Sequence, residues 1–409
     1  MKFLLIYPKW EKLDRQTRFN LPPHGPVVMA AALPPGVEVE FIDENVEPVD
    51  FGAETDFVGI SIMLSAQLKR GWEIAAAFRA RGIKVILGGI ATMLHAEECR
   101  AHADSVFLGE AEGRLEQVFA DFQAGQLKEV YDFMGNMPPI ETVGTARRSI
   151  LNREMYNYRG IQMVDLVHAS RGCRFNCYPC AVRFLGGRKF RPRPFDKVVE
   201  ELASIDNNRL FIVDNSLAQD KEWEMQLFRE MIPLKKKWCA HPIEDDDQVL
   251  DLAAQAGAWF VYQTIFDSSN HIRDRIKRYH DYGIAVEGSI LLGLDYHTED
   301  YIRRWMDFLL EIELDMAEFT ILTPFPHTRT YDDLNNAGRI FNRDWNDYTC
   351  GKVVFQPALM TPEKLQEMYY YCWDRFYEEE PANYKMFKML KKVMDKEKAD
   401  GTYKPRVRA

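Results

Sequence analysis

No run of eighteen apolar residues occurs anywhere in the chain, so nothing in it reads as a membrane-crossing helix. Positive charge is in deficit. Lys and Arg number 52 against 62 Asp and Glu, a formal net charge of −10. That balance argues against a general affinity for nucleic-acid backbone, though a local basic patch remains compatible with it. Internal repeats and low-complexity tracts are absent, and a composition of 46% hydrophobic and 28% charged residues excludes wholesale disorder. The opening MKFLLIYPKW has a short apolar run but meets Pro8, Lys9 and Trp10 too early for a secretory leader, and it reads as a buried first strand. Cysteine is scarce and odd in number, seven in 409 residues, which is no disulfide framework. Three of the seven fall within eight residues, which points to a reducing, cytoplasmic setting and a metal site.

What is present is alternation. Lys2–Tyr7, Val37–Asp43, Phe57–Met63, Lys84–Leu87 and Ser105–Leu108 read as strands, with helical spacing over Gln67–Arg81 and Glu112–Ala124. Apolar strands alternating with helices predict a parallel, flavodoxin-like (Rossmann-type) α/β domain over residues 1–132. Gly135, Pro138, Pro139 and Gly144 mark a linker, bounded at 133–158. A second series begins near Val164, with strands expected at Val164–Ala169, Leu210–Asp214, Trp238–His241, Trp259–Ile265, Ala285–Leu292 and Glu318–Leu322. Eight β/α units close a full barrel, so six predict a partial, open barrel over 159–330 with a wide lateral mouth. The remainder, 331–409, reads as a mostly helical extension, with helices over Pro362–Tyr377 and Asn383–Lys398 and a frayed end, GTYKPRVRA.

The densest chemistry is Ser170-Arg171-Gly172-Cys173-Arg174-Phe175-Asn176-Cys177-Tyr178-Pro179-Cys180, directly after an apolar strand. Thiolates at C-x3-C-x2-C spacing favour soft metals, either zinc or iron–sulfur. A structural zinc takes four protein ligands, and no fourth Cys or His lies nearby: His168 is inside the strand and Cys239 is distant. Three ligands on a four-iron cube leave one iron open. A zinc completed by a distant residue and three unliganded thiols are the plainer alternatives.

This loop after the first strand of a β/α series resembles the radical S-adenosylmethionine enzymes. The resemblance spans roughly residues 160–330. It implies that Cys173, Cys177 and Cys180 ligate a 4Fe-4S cluster, that S-adenosylmethionine binds the open iron, and that an electron donor such as flavodoxin or ferredoxin is needed. The chain departs from the family in places. Pro179 precedes the third cysteine where an aromatic residue is usual, and Tyr178 stands one position earlier. Val213-Asp214-Asn215-Ser216 replaces a Gly-Gly-Glu-like stretch, and the fourth strand, Val261–Ile265, lacks a Gly-x-Glu-Ser stretch. By position, Tyr178, Asp214, Asn215, Thr264 and Glu287 are the expected S-adenosylmethionine contacts.

A parallel α/β domain ahead of such a barrel is similar to the cobalamin-binding subgroup. Ser61-Ile62-Met63 occupies the place of a Ser-x-Leu stretch, Gly88-Gly89 follows 24 intervening residues later, and Gly109-Glu110-Ala111-Glu112 follows the fifth strand. Glycines at strand ends let backbone approach a flat macrocycle. No Asp-x-His-x-x-Gly follows Tyr7, so the resemblance implies base-off cobalamin without a histidine ligand. Ser61, Met63, Leu64, Ser65, Gly88, Gly89, Gly109 and Glu110 are the expected cobalamin contacts, with Met63 or Leu64 against the lower face of cobalt. An ordinary doubly wound domain whose glycines serve only turns is the alternative.

Of the smaller features, the basic run Arg188–Arg193 reads as a salt-bridged or solvated loop before an anion site, and His327 as a surface histidine before a base. Cys99, Cys239 and Cys372 read as packing residues, and Tyr369–Trp373 as a core helix face. The resemblance implies a C-methyltransferase acting on an unactivated carbon through a 5′-deoxyadenosyl radical and methylcobalamin, on a small-molecule substrate that is large or partly apolar. A non-methylating cyclisation, oxidation or ring rearrangement on the same cofactors is the first alternative. A non-enzymatic corrinoid or iron–sulfur carrier is the second.

Overall fold

Phe3, Leu4, Leu5 and Ile6 are all buried, and the period of two explains why an unbroken apolar run is required. Leu4 and Ile6 enter one hydrophobic cluster with Val58, Ile60, Val85 and Phe78, while Phe3 and Leu5 enter another with Phe57, Phe107 and Phe119. The computed structural model describes residues 1–12, 15 and 19–404. Its first sheet has six parallel strands: β1 (Lys2–Tyr7), β2 (Glu38–Asp43), β3 (Phe57–Ser61), β4 (Lys84–Gly88), β5 (Ser105–Leu108) and β6 (Val130–Asp132). Their order is β2-β1-β3-β4-β5-β6, so the winding reverses between β1 and β3. Ligands collect at such a reversal, beyond the strand C-termini.

A short hairpin of β7 (Asn157–Tyr158) and β8 (Ile161–Gln162) leads to the second sheet. It is built from β9 (Asp165–Val167), β12 (Arg209–Ile212), β13 (Lys237–Ala240), β14 (Ala258–Thr264), β15 (Ala285–Leu292) and β16 (Met316–Ile321). All pairs are parallel and neighbours in sequence are neighbours in space. The ribbon β10 (Ser170–Arg171) with β11 (Arg191–Pro192) is antiparallel and forms the neck of the cysteine loop.

The connecting helices begin where side chains cap them. Asp220, Ser269, Thr298 and Thr361 accept hydrogen bonds from the backbone N–H three residues on, at 3.0 to 3.4 Å. Helix Pro362–Phe376 packs on the second sheet through Leu365, Met368, Tyr369, Cys372 and Trp373, all buried. Helix Ala382–Ala399 covers the N-terminal end of that sheet, with Met389 and Val393 against Val164, Phe260 and Met316. The opposite, C-terminal strand ends are thereby left for the site.

Two parallel β/α units with a helical C-terminal extension therefore stand as expected. The differences are local. The third strand stops at Ser61, two residues early, because Gln67 captures the backbone N–H groups of Met63 and Leu64 at 3.0 and 2.9 Å. The short edge strand β6 lies in a segment too polar to read as a strand, and the linker carries short helical turns at Ile140–Thr142, Arg148–Ile150 and Arg153–Met155. The frayed end does not begin at Gly401. Thr402 and Tyr403 donate back to the Glu397 carbonyl at 2.8 and 3.1 Å, and residues 405–409 lie outside the described ones. No helix among the described residues is long and apolar enough to cross a membrane.

Candidate functional site

One cavity of about 420 Å³ joins the C-terminal ends of the two sheets. Ser61, Gly88, Gly89, Gly109 and Glu110 line it from the first sheet, with Phe3, Leu5, Val118 and Phe119 forming an apolar slot behind them. His168, Ser170, Arg171, Gly172, Asp214 and Asn215 line it from the second. Seven residues proposed from sequence for two different cofactors thus share one space. Met63, Leu64, Ser65, Tyr178, Thr264 and Glu287 are not among its walls.

Backbone geometry makes the first half. Gly89 has φ +96°, and a Cβ there would lie 2.5 Å from the Ile62 carbonyl oxygen, so only glycine fits the turn out of β4. Met63 is half exposed, and its sulfur accepts a hydrogen bond from the Tyr7 hydroxyl at 3.4 Å. Ser65 is buried and pairs with His95 Nε2 at 2.9 Å, which makes it a support beneath the loop.

The cysteine loop is held from both sides. Gly172, at φ +74°, has no room for a side chain against the Lys189 carbonyl. Its own carbonyl accepts from Asn215 Nδ2 at 3.4 Å and Gln219 Nε2 at 3.3 Å, while Gln219 Oε1 accepts from the Arg174 N–H at 2.9 Å. Cys173 N–H donates to the Gly187 carbonyl at 3.3 Å. Asp214 is buried. It accepts from the Ala169 N–H at 2.7 Å and from the Ser170 hydroxyl, and burial raises its pKa to about 7 against those bonds. Both its oxygens are engaged within the protein, so it braces the strand end that leads into the loop.

Cys173 is half buried and Cys177 and Cys180 are exposed, all as free thiols. Desolvation by the loop raises the Cys180 pKa, and the charges of Cys177 and Cys173 add to it, so the three sulfurs feel one another. Among the described residues no three His, Cys, Asp or Glu side chains converge as a single-ion site. Three thiols on an open loop are soft donors of the kind that zinc and iron–sulfur groups both take. The glycine turn and apolar slot likewise fit a bulky planar cofactor with a tail.

Inside the second sheet, Glu287 stands beside Tyr262 in the β14–β15 register. Its pKa is pushed well above the carboxylate range, by burial first and then by the charge of Glu318. Thr264, at the end of β14, is exposed, as is Tyr178. His327 is exposed and stacks on Phe184 at 4.2 Å. Arg191 and Arg193 are salt-bridged to Glu110 and Glu201, which bears out the plainer reading of the basic run. Cys99, Cys239 and Cys372 are buried in packing positions.

Sequence reasoning missed the wall between the two halves. His24 Nε2 lies 2.7 Å from His168 Nδ1, and Arg171 Nε donates to His168 Nε2 at 3.3 Å. Burial, then the charge of Arg148, lowers the His24 pKa to about 3, and burial holds His168 well below its ordinary value, so both rings are neutral. The two histidines lie 144 positions apart, and no spacing could have joined them.

No family model matches the chain. It is 25% identical over 393 residues to the bacteriochlorophyllide d C-12(1)-methyltransferase of Chlorobaculum tepidum, covering 90% of this chain and 85% of that protein. It is 25% identical over 371 residues to the same organism's bacteriochlorophyllide d C-8(2)-methyltransferase, covering 83% of this chain and 82% of that one. Among solved structures, it superimposes with a TM-score of 0.65 on the radical S-adenosylmethionine methyltransferase TsrM from Kitasatospora setae with cobalamin and a 4Fe-4S cluster bound, at 16% identity, covering 82% of this chain and 75% of that one.

Proposed function

We propose, from a chain whose fold is cobalamin-binding and radical-SAM-like, a cobalamin-dependent radical S-adenosylmethionine C-methyltransferase. In this reading residues 1–132 are a flavodoxin-like cobalamin domain, 159–330 a partial (β/α)6 barrel holding a 4Fe-4S cluster on Cys173, Cys177 and Cys180, and 331–409 the extension that closes the barrel's lower end. The observation that carries it is the single cavity into which the glycine turns of one sheet and the cysteine-loop neck of the other both open. When bound, the cluster with S-adenosylmethionine supplies a carbon-centred radical, and cobalamin supplies a methyl group.

The chain's own residues position and exclude water. Gln219 and Asn215 fix the Gly172 backbone, so the thiols are presented in one orientation. Asp214 holds Ser170 and with it the strand end. Gly88 and Gly89 leave the β4 terminus bare, and Phe3, Leu5 and Phe119 keep the slot dry. Such preorganisation is what radical transfer between separate groups needs.

Substrate size is supported by exposure. Phe266 and Tyr296 are exposed in the loops that follow β14 and β15, where a large, partly apolar molecule would cover them. The similarity to bacteriochlorophyllide methyltransferases supports the same substrate size and the methyl-transferring branch. The test is product isolated after turnover with methyl-deuterated S-adenosylmethionine and a reduced flavodoxin or ferredoxin. Deuterated methyl in the product is expected. Unlabelled product would move the chain to non-methylating radical chemistry, and no cleavage of S-adenosylmethionine would make it a carrier.

A further inference from the structure

The Gly109-Glu110-Ala111-Glu112 stretch lines the shared cavity, and its two carboxylates also pair with the neck of the cysteine loop. Arg171 makes a two-pronged contact with Glu112, Nη2 to Oε1 at 2.7 Å and Nη1 to Oε2 at 3.1 Å. The same Nη1 donates to Glu110 Oε2 at 2.6 Å, and Arg191 pairs with the other oxygen of Glu110. Arg171 and Arg191 face each other in the β10–β11 ribbon, so one carboxylate grips both strands of the neck. Cys173 lies two residues beyond Arg171.

The four groups are poorly exposed, with side-chain exposures of 17% for Arg171, 16% for Arg191, 14% for Glu110 and 6% for Glu112. Two acids and two bases balance in charge, so burial is compensated only while all remain paired. Forked guanidinium–carboxylate contacts also fix direction, which a single lysine contact does not. Glu110, Glu112 and Arg171 line the shared cavity, so the clamp stands between the two sheets' contributions to it. The loop is thereby tied to the end of β5, next to the Gly109 turn at φ +111°, rather than only to its own sheet.

We infer that Glu110 and Glu112 are positioning residues that set the distance between the cysteine-bound cluster and the cobalamin site, by gripping the neck of the loop through Arg171 and Arg191. This rests on the two-cofactor reading above. The test is pulsed dipolar EPR between the reduced cluster and cob(II)alamin in protein purified anaerobically with both groups, wild type against Glu110→Gln/Glu112→Gln. The iron and cobalt contents are measured first. Absence of either metal from the wild type would sink the two-cofactor reading and is distinguishable from failure of the clamp.

With both present, the clamp predicts that the mean separation shifts, or its distribution widens, by about 1 Å or more in the variant, the looseness an unsupported site acquires. Arg171→Lys, which keeps the charge and loses the fork, should fall between. An unchanged distance and width in a variant that retains both metals would overturn the inference. Should the double variant fail to fold, Arg191→Gln carries the same test by removing one arm. Hydrogen exchange of backbone amides 170–193 supplies the second readout, with faster exchange confined to that segment expected and unchanged exchange counting against the clamp.

Discussion

Replacing Asp214 by Asn tests how the cysteine loop is supported. The carboxyl is buried between the Ala169 N–H and the Ser170 hydroxyl, and burial raises its pKa to about 7 from an ordinary 3.8. The folded chain therefore holds this proton where the unfolded chain has released it. Stability from this group is fully present below about pH 4, and it is lost as pH rises towards and through 7. At 1.36 kcal/mol per pH unit the whole interval is worth about 4 kcal/mol, of which about 2 kcal/mol falls between roughly pH 5.5 and 8. Asn keeps an oxygen for Ala169 and an amide for Ser170 but does not titrate. Urea unfolding of both proteins, followed by tryptophan fluorescence across that range, should show wild type losing about 2 kcal/mol relative to the variant. Parallel pH dependences would refute the reasoning, because they would mean that no buried carboxyl titrates at this strand end.

Cys177→Ala should abolish iron retention in anaerobically purified protein while the far-UV circular dichroism stays unchanged, since Cys177 is exposed and packs against no core. Gly89→Val should cost about 1–3 kcal/mol through the forced left-handed backbone, and more through the Ile62 clash, with cobalamin retention by the purified chain falling to background. Glu287→Gln removes a carboxyl whose pKa is raised by burial and then by Glu318, so stability that wild type loses as pH rises above the ordinary carboxylate range should be retained by the variant. A melting temperature that falls in parallel for both proteins as pH rises would count against a raised carboxyl at Glu287.

The parts of the fold that could be read ahead are those where periodicity and burial coincide. Lys2–Tyr7 and Ala285–Leu292 match to the residue, because their side chains feed cores on both faces. Val130–Asp132 could not be read, since an edge strand of three residues with one buried side chain carries almost no pattern. The cysteine loop was legible because ligand spacing is local. The walls of the cavity were only half legible. Glycines at strand ends announce themselves, but the partners of Glu110 lie 61 and 81 positions away, and a motif alone does not say whether its carboxylate meets a ligand or an arginine. Gln67, Gln219 and Asp214 brace the loops through backbone groups, and such bonds have no sequence pattern.

The measurement closest to the central claim is the metal and corrinoid content of the chain purified anaerobically from cells supplied with cobalamin, read with its absorption spectrum. The account predicts about four irons with matching sulfide and one base-off cobalamin per chain. Zinc in place of iron, retained under strict anaerobic handling, or iron without cobalt, would contradict it.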